Sequence, residues 1–134
     1  MITYKQYNPE MDSLEIADGF FKGWPNPPGK AVHRKLLLNS YMSFVAIEEN
    51  RIVGFINVIS DGVLSAYIPL LEVVDAYKGQ GIGTRLVEKV IEATRDLYMI
   101  DVACDDDVVP FYAKFDMMRG NAMSVRNYGR QSGE

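Results

Sequence analysis

Alternating apolar and polar positions open the chain, and Ile2 to Tyr7 carries the two-residue period of a strand. Asn8-Pro9-Glu10 then reads as a helix start. Proline is tolerated in a first helical turn, and an acid suits the N-terminal dipole. Leu14, Ala17, Phe20 and Phe21 follow at helical spacing, and "GWPNPPG", Gly23 to Gly29, ends that expected helix. A second helix is expected over Ala31 to Asn39. Ser43–Glu48 and Ile52–Ser60 read as two strands joined by a turn at Glu49-Asn50, and Ser60-Asp61-Gly62 as another turn. Leu64–Val74 is the next strand. Pro69 inside it marks a bulge or an edge position, because proline has no N–H for a ladder.

The clearest period comes next. Ile82, Leu86, Val87, Val90, Ile91 and Thr94 share one helical face, while Arg85, Glu88, Lys89 and Glu92 take the other. Tyr98–Cys104 reads as a strand. Asp105-Asp106-Asp107 is an acidic helix start with Pro110 in the first turn, and Phe111, Tyr112 and Phe115 follow on a short helix. Met117–Arg119 and Ala122–Tyr128 are expected to pair as a closing hairpin across Gly120-Asn121, with "GRQSGE" frayed at the end. This order predicts an α/β chain of the α+β type. Its core would be a mixed, mostly antiparallel central sheet of about six to seven strands with helices on both faces.

Composition narrows the class. A length of 134 residues predicts a single domain over 1–134 that buries its own core. The one cysteine, Cys104, has no partner for an internal disulfide, no signal peptide is recognised, and the apolar runs are too short to span a bilayer. A cytoplasmic protein without a membrane partner is the expectation. A net charge of −4 argues against a nucleic-acid partner, which would prefer a basic face. No Cys/His cluster has metal-ligand spacing, so no metal is expected. The lone His33, beside Arg34 and Lys35, reads as a surface residue, and Cys104 as a small buried hydrophobe ending a strand.

Candidate chemistry concentrates in "KGQGIGT", Lys78 to Thr84. A helix leaves its first N–H groups unpaired and partly positive, so an anion held there collects several hydrogen bonds. Glycines allow positive φ and close approach of the backbone. Gly79, Gly81 and Gly83 before an amphipathic helix therefore predict a phosphate or pyrophosphate site, with Lys78 and Arg85 adding charge. A Walker-type loop would need Gly-Lys-Ser/Thr, and here Thr84 follows Gly83 directly. A dinucleotide fingerprint fails as well: the required third glycine falls on Thr84 or Leu86.

These residues resemble the GNAT superfamily of N-acyltransferases. "KGQGIG" is similar to its acyl-CoA pyrophosphate loop, "LLEVVDAY" before it to its fourth strand, and "FYAKFDM" to its Phe-Tyr-x-Lys-x-Gly-Phe signature. Lys78 replaces the usual Arg or Gln, Asp75 the usual Pro, Asp116 the usual Gly, Met117 the usual Phe, and Asp105 the frequent Asn. The resemblance implies a GNAT fold and acetyl-CoA as cofactor, with coenzyme A as product. It implies direct attack of an amine in a ternary complex, and the absence of a nucleophile pair agrees.

By the same resemblance, the backbone of Lys78, Gly79, Gln80, Gly81, Ile82, Gly83 and Thr84 would hold the pyrophosphate. The backbone of Leu71 and Val73 would pair with the pantetheine arm, and Tyr112 would protonate the departing thiolate. Glu72, a carboxylate within an apolar strand, is the candidate base, and a structural ion pair is its other reading. A water-relayed path without a single base also stands open. Phe20, Phe21, Trp24, Pro25 and Pro28 mark the acceptor side, as a lid or as a loop pinned by its own apolar residues. A small-molecule or peptide amine is the expected acceptor and a homodimer the possible assembly. The rival reading is a non-catalytic acyl-CoA-binding or regulatory module on the same fold.

Overall fold

The computed structural model describes residues 1–134. Seven strands form one sheet: β1 (Thr3–Gln6), β2 (Glu15–Ile16), β3 (Met42–Glu48), β4 (Arg51–Ser60), β5 (Ser65–Ile68), β6 (Leu71–Val73) and β7 (Met99–Val102). The order is β1-β3-β4-β5-β7, with β2 and β6 also pairing to β4. Two pairs, β2 with β4 and β5 with β7, are parallel, and the rest are antiparallel. The helices are α1 (Lys30–Asn39), α2 (Ile82–Ala93) and α3 (Val109–Ala113). The expected mixed, mostly antiparallel sheet is thus present.

Burial divides the apolar residues between two faces. β4 runs through the centre, and Ile52, Val53, Phe55, Ile56 and Val58 are fully buried. Val53, Ile56 and Val58 pack with Leu86, Val87 and Val90 of α2 and with Tyr112 of α3. Ile52 and Phe55 pack instead with Leu37 of α1, Phe21 and Ile16. Strand alternation sends neighbouring residues to opposite faces, and a bulge at Val53, where the pairing steps from Ala46–Gly54 to Ile47–Ile52, shifts the phase, so one strand feeds two cores.

Three expectations change. The helix after Asn8 does not form. Asn8 caps a 3-10 turn over Pro9–Ser13, accepting from the Glu10 N–H at 2.9 Å, and Glu15–Ile16 then joins the sheet beside β4. Edge pairing with β4 outweighed the helical spacing, placing Ile16 and Phe21 in the core by separate turns. The closing hairpin is also absent: residues 117–127 have no regular secondary structure and are largely exposed. Lastly, the long strand across Pro69 is two strands.

That division shapes the site. Tyr67 lies opposite Ile59, a register that would put Leu71 opposite Phe55. Leu71 faces Ile56 instead, so the strand holds one extra residue across Pro69, a bulge. Asn57 stitches the break. Its N–H donates to the Leu70 carbonyl at 3.2 Å, its side-chain oxygen accepts from the Leu70 N–H at 3.1 Å, and its side-chain amide donates to Ser40 Oγ at 3.1 Å. A buried asparagine is tolerable here because these contacts satisfy it. Beyond the bulge, β6 pairs with β4 alone, while β7 stays with β5, so the sheet parts between them.

Candidate active site

The bulge gives β6 an open edge. The Val74 N–H donates to Val53 O, and Leu70 O accepts from the Asn57 N–H, so these peptides face β4. Extended backbone alternates, and the N–H and C=O of Leu71 and Val73 therefore face the open side. Both side chains pack on the α2 core. The two residues named from the sequence as a main-chain platform thus present free main-chain groups.

From β6 the chain makes a short turn over Asp75–Tyr77 and enters the glycine stretch. Gly79 and Gly81 hold φ of +79° and +81°, the left-handed region that a Cβ disfavours. Nothing lies within 4 Å of where a side chain would begin at either glycine. The turn opens to solvent instead of being filled by the protein. Gly81 caps α2, and the first bond of that helix runs from the Arg85 N–H to the Gly81 carbonyl. No N–H from Gly79 to Thr84 donates to a protein acceptor. Unpaired amides converging at a helix N-terminus form a cradle for an anion. Within it, Ile82 contributes main chain only, because its side chain is buried in the core.

The cations near this turn are differently committed. Asp75 bridges Lys22 and Lys78, with Lys78 Nζ at 2.9 Å, and the two ammonium groups hold its carboxyl down at about 2. Lys78 is therefore tied to the entrance of the turn. Arg85 lies 3.7 Å from Glu88 and over the Tyr4 ring. Lys114 of the "FYAKF" stretch has no carboxylate partner. Its ammonium donates to Thr84 Oγ1 at 2.8 Å and sits over the Phe111 ring. Sequence reasoning assigned Lys114 nothing, although its motif already pointed there.

Glu72 and Tyr112 lie on opposite faces of the sheet. The Glu72 side chain reaches the α1 side, where Oε1 accepts from the Phe21 N–H at 2.8 Å. Phe21 is a buried residue at φ +60°, an uncommon conformation for a bulky side chain. Burial raises the Glu72 pKa, while the Phe21 hydrogen bond and Lys78 oppose that rise. Glu72 lines a cleft of about 230 Å³ with Gly19, Lys22, Leu71, Val73 and Lys78. A larger, shallow depression of about 440 Å³ lies between Arg85 and Phe115 on the outer face of α2, away from β6.

Tyr112 is buried in the α2 core, which Leu71 and Val73 also touch. Its phenol is pushed up to about 12, by burial first and then by the nearby Cys104 charge. It is therefore a protonated donor throughout the neutral range. Cys104 itself is exposed, not a buried hydrophobe, because β7 ends before it. His33 is also corrected. It is a core residue, with its ring 4.4 to 5.1 Å from those of Phe20, Phe21 and Phe55 and its Nε2 unpartnered. Burial, with Arg34, lowers its pKa to about 4 and leaves it neutral. The aromatic stretch at Phe20 to Trp24 is pinned rather than loose, since Phe21 packs on Trp24 and Phe55.

Comparison with known proteins bears on the fold and the family. A solved structure from Deinococcus radiodurans R1, provisionally named an acetyltransferase, superposes with a TM-score of 0.88 at 38% identity, covering 98% of this chain and 92% of that one. A GNAT-family acetyltransferase of Streptococcus pneumoniae TIGR4 shares the fold, with a TM-score of 0.70 at 19% identity over 95% and 99% of the two chains. From Glycine max, "Probable acetyltransferase TAP2" is 35% identical over 104 residues, 68% of this chain and 42% of that protein. "Histone acetyltransferase TAP1" is 34% identical over 103 residues, 67% and 44%. The chain spans less than half the length of these curated relatives. Residues 9–117 match the Acetyltransferase (GNAT) family. With the split sheet, the free main chain of β6 and the unfilled glycine turn in place, the match covers most of the chain, and the protein belongs to the GNAT family of acetyltransferases.

Proposed function

We propose that the protein is an N-acetyltransferase that moves the acetyl group of acetyl-CoA to a primary amine by direct attack within a ternary complex. The observation that carries this reading is the run of unpaired amides from Gly79 to Thr84 beside the open edge of β6. Acetyl-CoA would supply the activated acyl group as a substrate. The amides at the start of α2 would hold its diphosphate, with Lys114 as the cation available to a phosphate oxygen. The outward peptides of Leu71 and Val73 would bind the pantetheine arm as an added strand, and the Val73 N–H is the donor offered to a carbonyl oxygen.

Tyr112 would keep a proton at its hydroxyl for the leaving sulfur, and its raised pKa keeps that proton in place at neutral pH. The amine would come from the other face, past Glu72. The carboxylate there would orient the nitrogen or take its proton, with one oxygen fixed by Phe21. No helix is long and apolar enough to cross a membrane, and we place the reaction in the cytoplasm.

The test is incubation with acetyl-CoA and a panel of amines: a polyamine, an amino acid, an aminoglycoside and a lysine peptide. Free thiol should appear only with a productive amine, matched by an acetylated product in the mass spectrum. Calorimetric binding of coenzyme A with no thiol release from any amine would instead support a binding module.

A further inference from the structure

The cleft beside β6 carries four charged side chains, and they stand at two levels. Glu72 is the inner one, half-buried, with Oε1 held by the Phe21 N–H at 2.8 Å and no protein donor on its other oxygen. Lys22, Asp75 and Lys78 are exposed and form the rim. Lys22 comes from the loop after β2, whereas Asp75 and Lys78 come from the turn after β6. The two levels are close together. Three residues separate Glu72 from Asp75, a span of about 10 Å at most, and Lys78 draws the Glu72 carboxyl down against its burial. At about 230 Å³ the cleft is smaller than sites that enclose drug-sized ligands, so it suits a small acceptor.

Charge at the rim does not balance. One carboxylate serves both lysines: Asp75 Oδ2 accepts from Lys22 Nζ, and Oδ1 accepts from Lys78 Nζ at 2.9 Å. Neither lysine has a second acidic partner. Asp18, on the same loop as Lys22, is engaged by Lys30 at 2.8 Å instead. Two ammonium groups sharing one acid leave one positive charge uncompensated. Each ammonium has three N–H donors, so its bond to Asp75 leaves others free. The cleft therefore offers an acid inside and a net cation outside, within the length of a small molecule.

We propose that the acceptor is a small primary amine that also carries an anionic group, a carboxylate or a phosphate. This rests on the acetyl-transfer reading above. The amine faces the free oxygen of Glu72, and the anionic group takes the spare N–H donors of Lys22 and Lys78. The nitrogen bonds to the acetyl carbon as the carbon–sulfur bond breaks, the nitrogen gives up a proton, and coenzyme A leaves as the thiol. A diamine, or a lysine in a basic peptide, brings a second cation against the rim and is disfavoured by like-charge repulsion.

Thiol release from acetyl-CoA tests this with amines that differ only in the anionic group. β-Alanine is set beside ethylamine, phosphoethanolamine beside ethanolamine, and putrescine beside both pairs. At least one acid should exceed its neutral counterpart in kcat/KM by about fivefold, as a rim-exposed ion pair allows, and putrescine should be the poorest. The arm that shows the preference tells carboxylate from phosphate. Lys22→Met should bring the ratio near one with an unchanged far-ultraviolet circular dichroism spectrum, and Lys22→Arg should retain the preference. Neutral amines or putrescine equal to or better than the acids would overturn the proposal while acetyl transfer stands. So would a preference that survives Lys22→Met. Thiol release with no amine at all would overturn the acetyl-transfer reading, and this proposal with it.

Discussion

The Glu72 carboxylate has two candidate jobs, and replacing it separates them. Its Oε1 accepts from the Phe21 N–H at 2.8 Å, and Phe21 is held at φ +60°. That backbone conformation costs a non-glycine residue roughly 1–2 kcal/mol. A hydrogen bond to a charged group contributes about 1.5–3 kcal/mol, enough to offset it. Glu72→Ala leaves the Phe21 amide without its acceptor, and a buried unsatisfied N–H costs about 1–3 kcal/mol.

Glu72→Gln differs, because the amide oxygen still accepts. The Glu72 pKa lies above its ordinary value, which means that burial of the charge outweighs the help from Phe21 and Lys78. A carboxyl with a raised folded pKa supports folding fully below its unfolded pKa and loses that contribution as pH rises through the folded one. At pH 7 the ionised group is therefore a net burden, and the neutral glutamine removes it. The expected result is Ala destabilised by about 1–3 kcal/mol in urea unfolding at pH 7, with Gln equal to the wild type or slightly more stable. If Gln lost as much stability as Ala, the balance drawn here between burial and hydrogen bonding would be wrong. The same variant reads the chemistry. If Glu72 takes the amine proton, Glu72→Gln loses the acidic limb of the kcat/KM profile, whereas a purely anchoring role leaves that limb in place.

Three more outcomes follow from the site. Gly81→Ala should cost about 1–2 kcal/mol of stability from its left-handed φ, and should weaken coenzyme A binding further because the methyl enters the open turn; calorimetry showing unchanged affinity would contradict this. Tyr112→Phe should lower kcat by about 10²-fold with nearly unchanged acetyl-CoA binding, and the wild type should show no loss of activity from Tyr112 ionisation below pH 10, since its phenol stays protonated up to about 12; unchanged turnover would remove Tyr112 from the mechanism. At Gly54 a Cβ would lie 3.2 Å from Ile82 Cγ2 and 3.3 Å from the Glu72 carbonyl oxygen, so Gly54→Ala should push α2 and β6 away from β4, cost about 1–3 kcal/mol and raise the KM for acetyl-CoA; full stability would show that the contact yields easily.

The sheet class, α2 and the glycine turn were legible because each rests on a local rule. Period fixes the face of α2, and glycine spacing fixes the turn. What escaped depended on distant partners. Leu14, Ala17, Phe20 and Phe21 keep helical spacing, yet the free side of β4 took Glu15–Ile16 as a strand. The bulge at Pro69 was expected, but its stitch, Asn57, lies 13 residues from Leu70 and has no local signature. His33 read as exposed from its charged neighbours. Its ring sits among three phenylalanines brought together by different elements. Lys114 was hidden for the same reason, since only the packing of α3 on α2 brings it to Thr84.

The account turns on the amides of Gly79 to Thr84. The direct measurement is an amide nuclear magnetic resonance titration with coenzyme A, set beside one with pantetheine, which lacks the diphosphate. Coenzyme A should move the Gly79 to Thr84 resonances together and saturably, while pantetheine leaves them in place and perturbs only Leu71 and Val73. Coenzyme A binding that leaves the Gly79 to Thr84 amides unmoved would contradict the account.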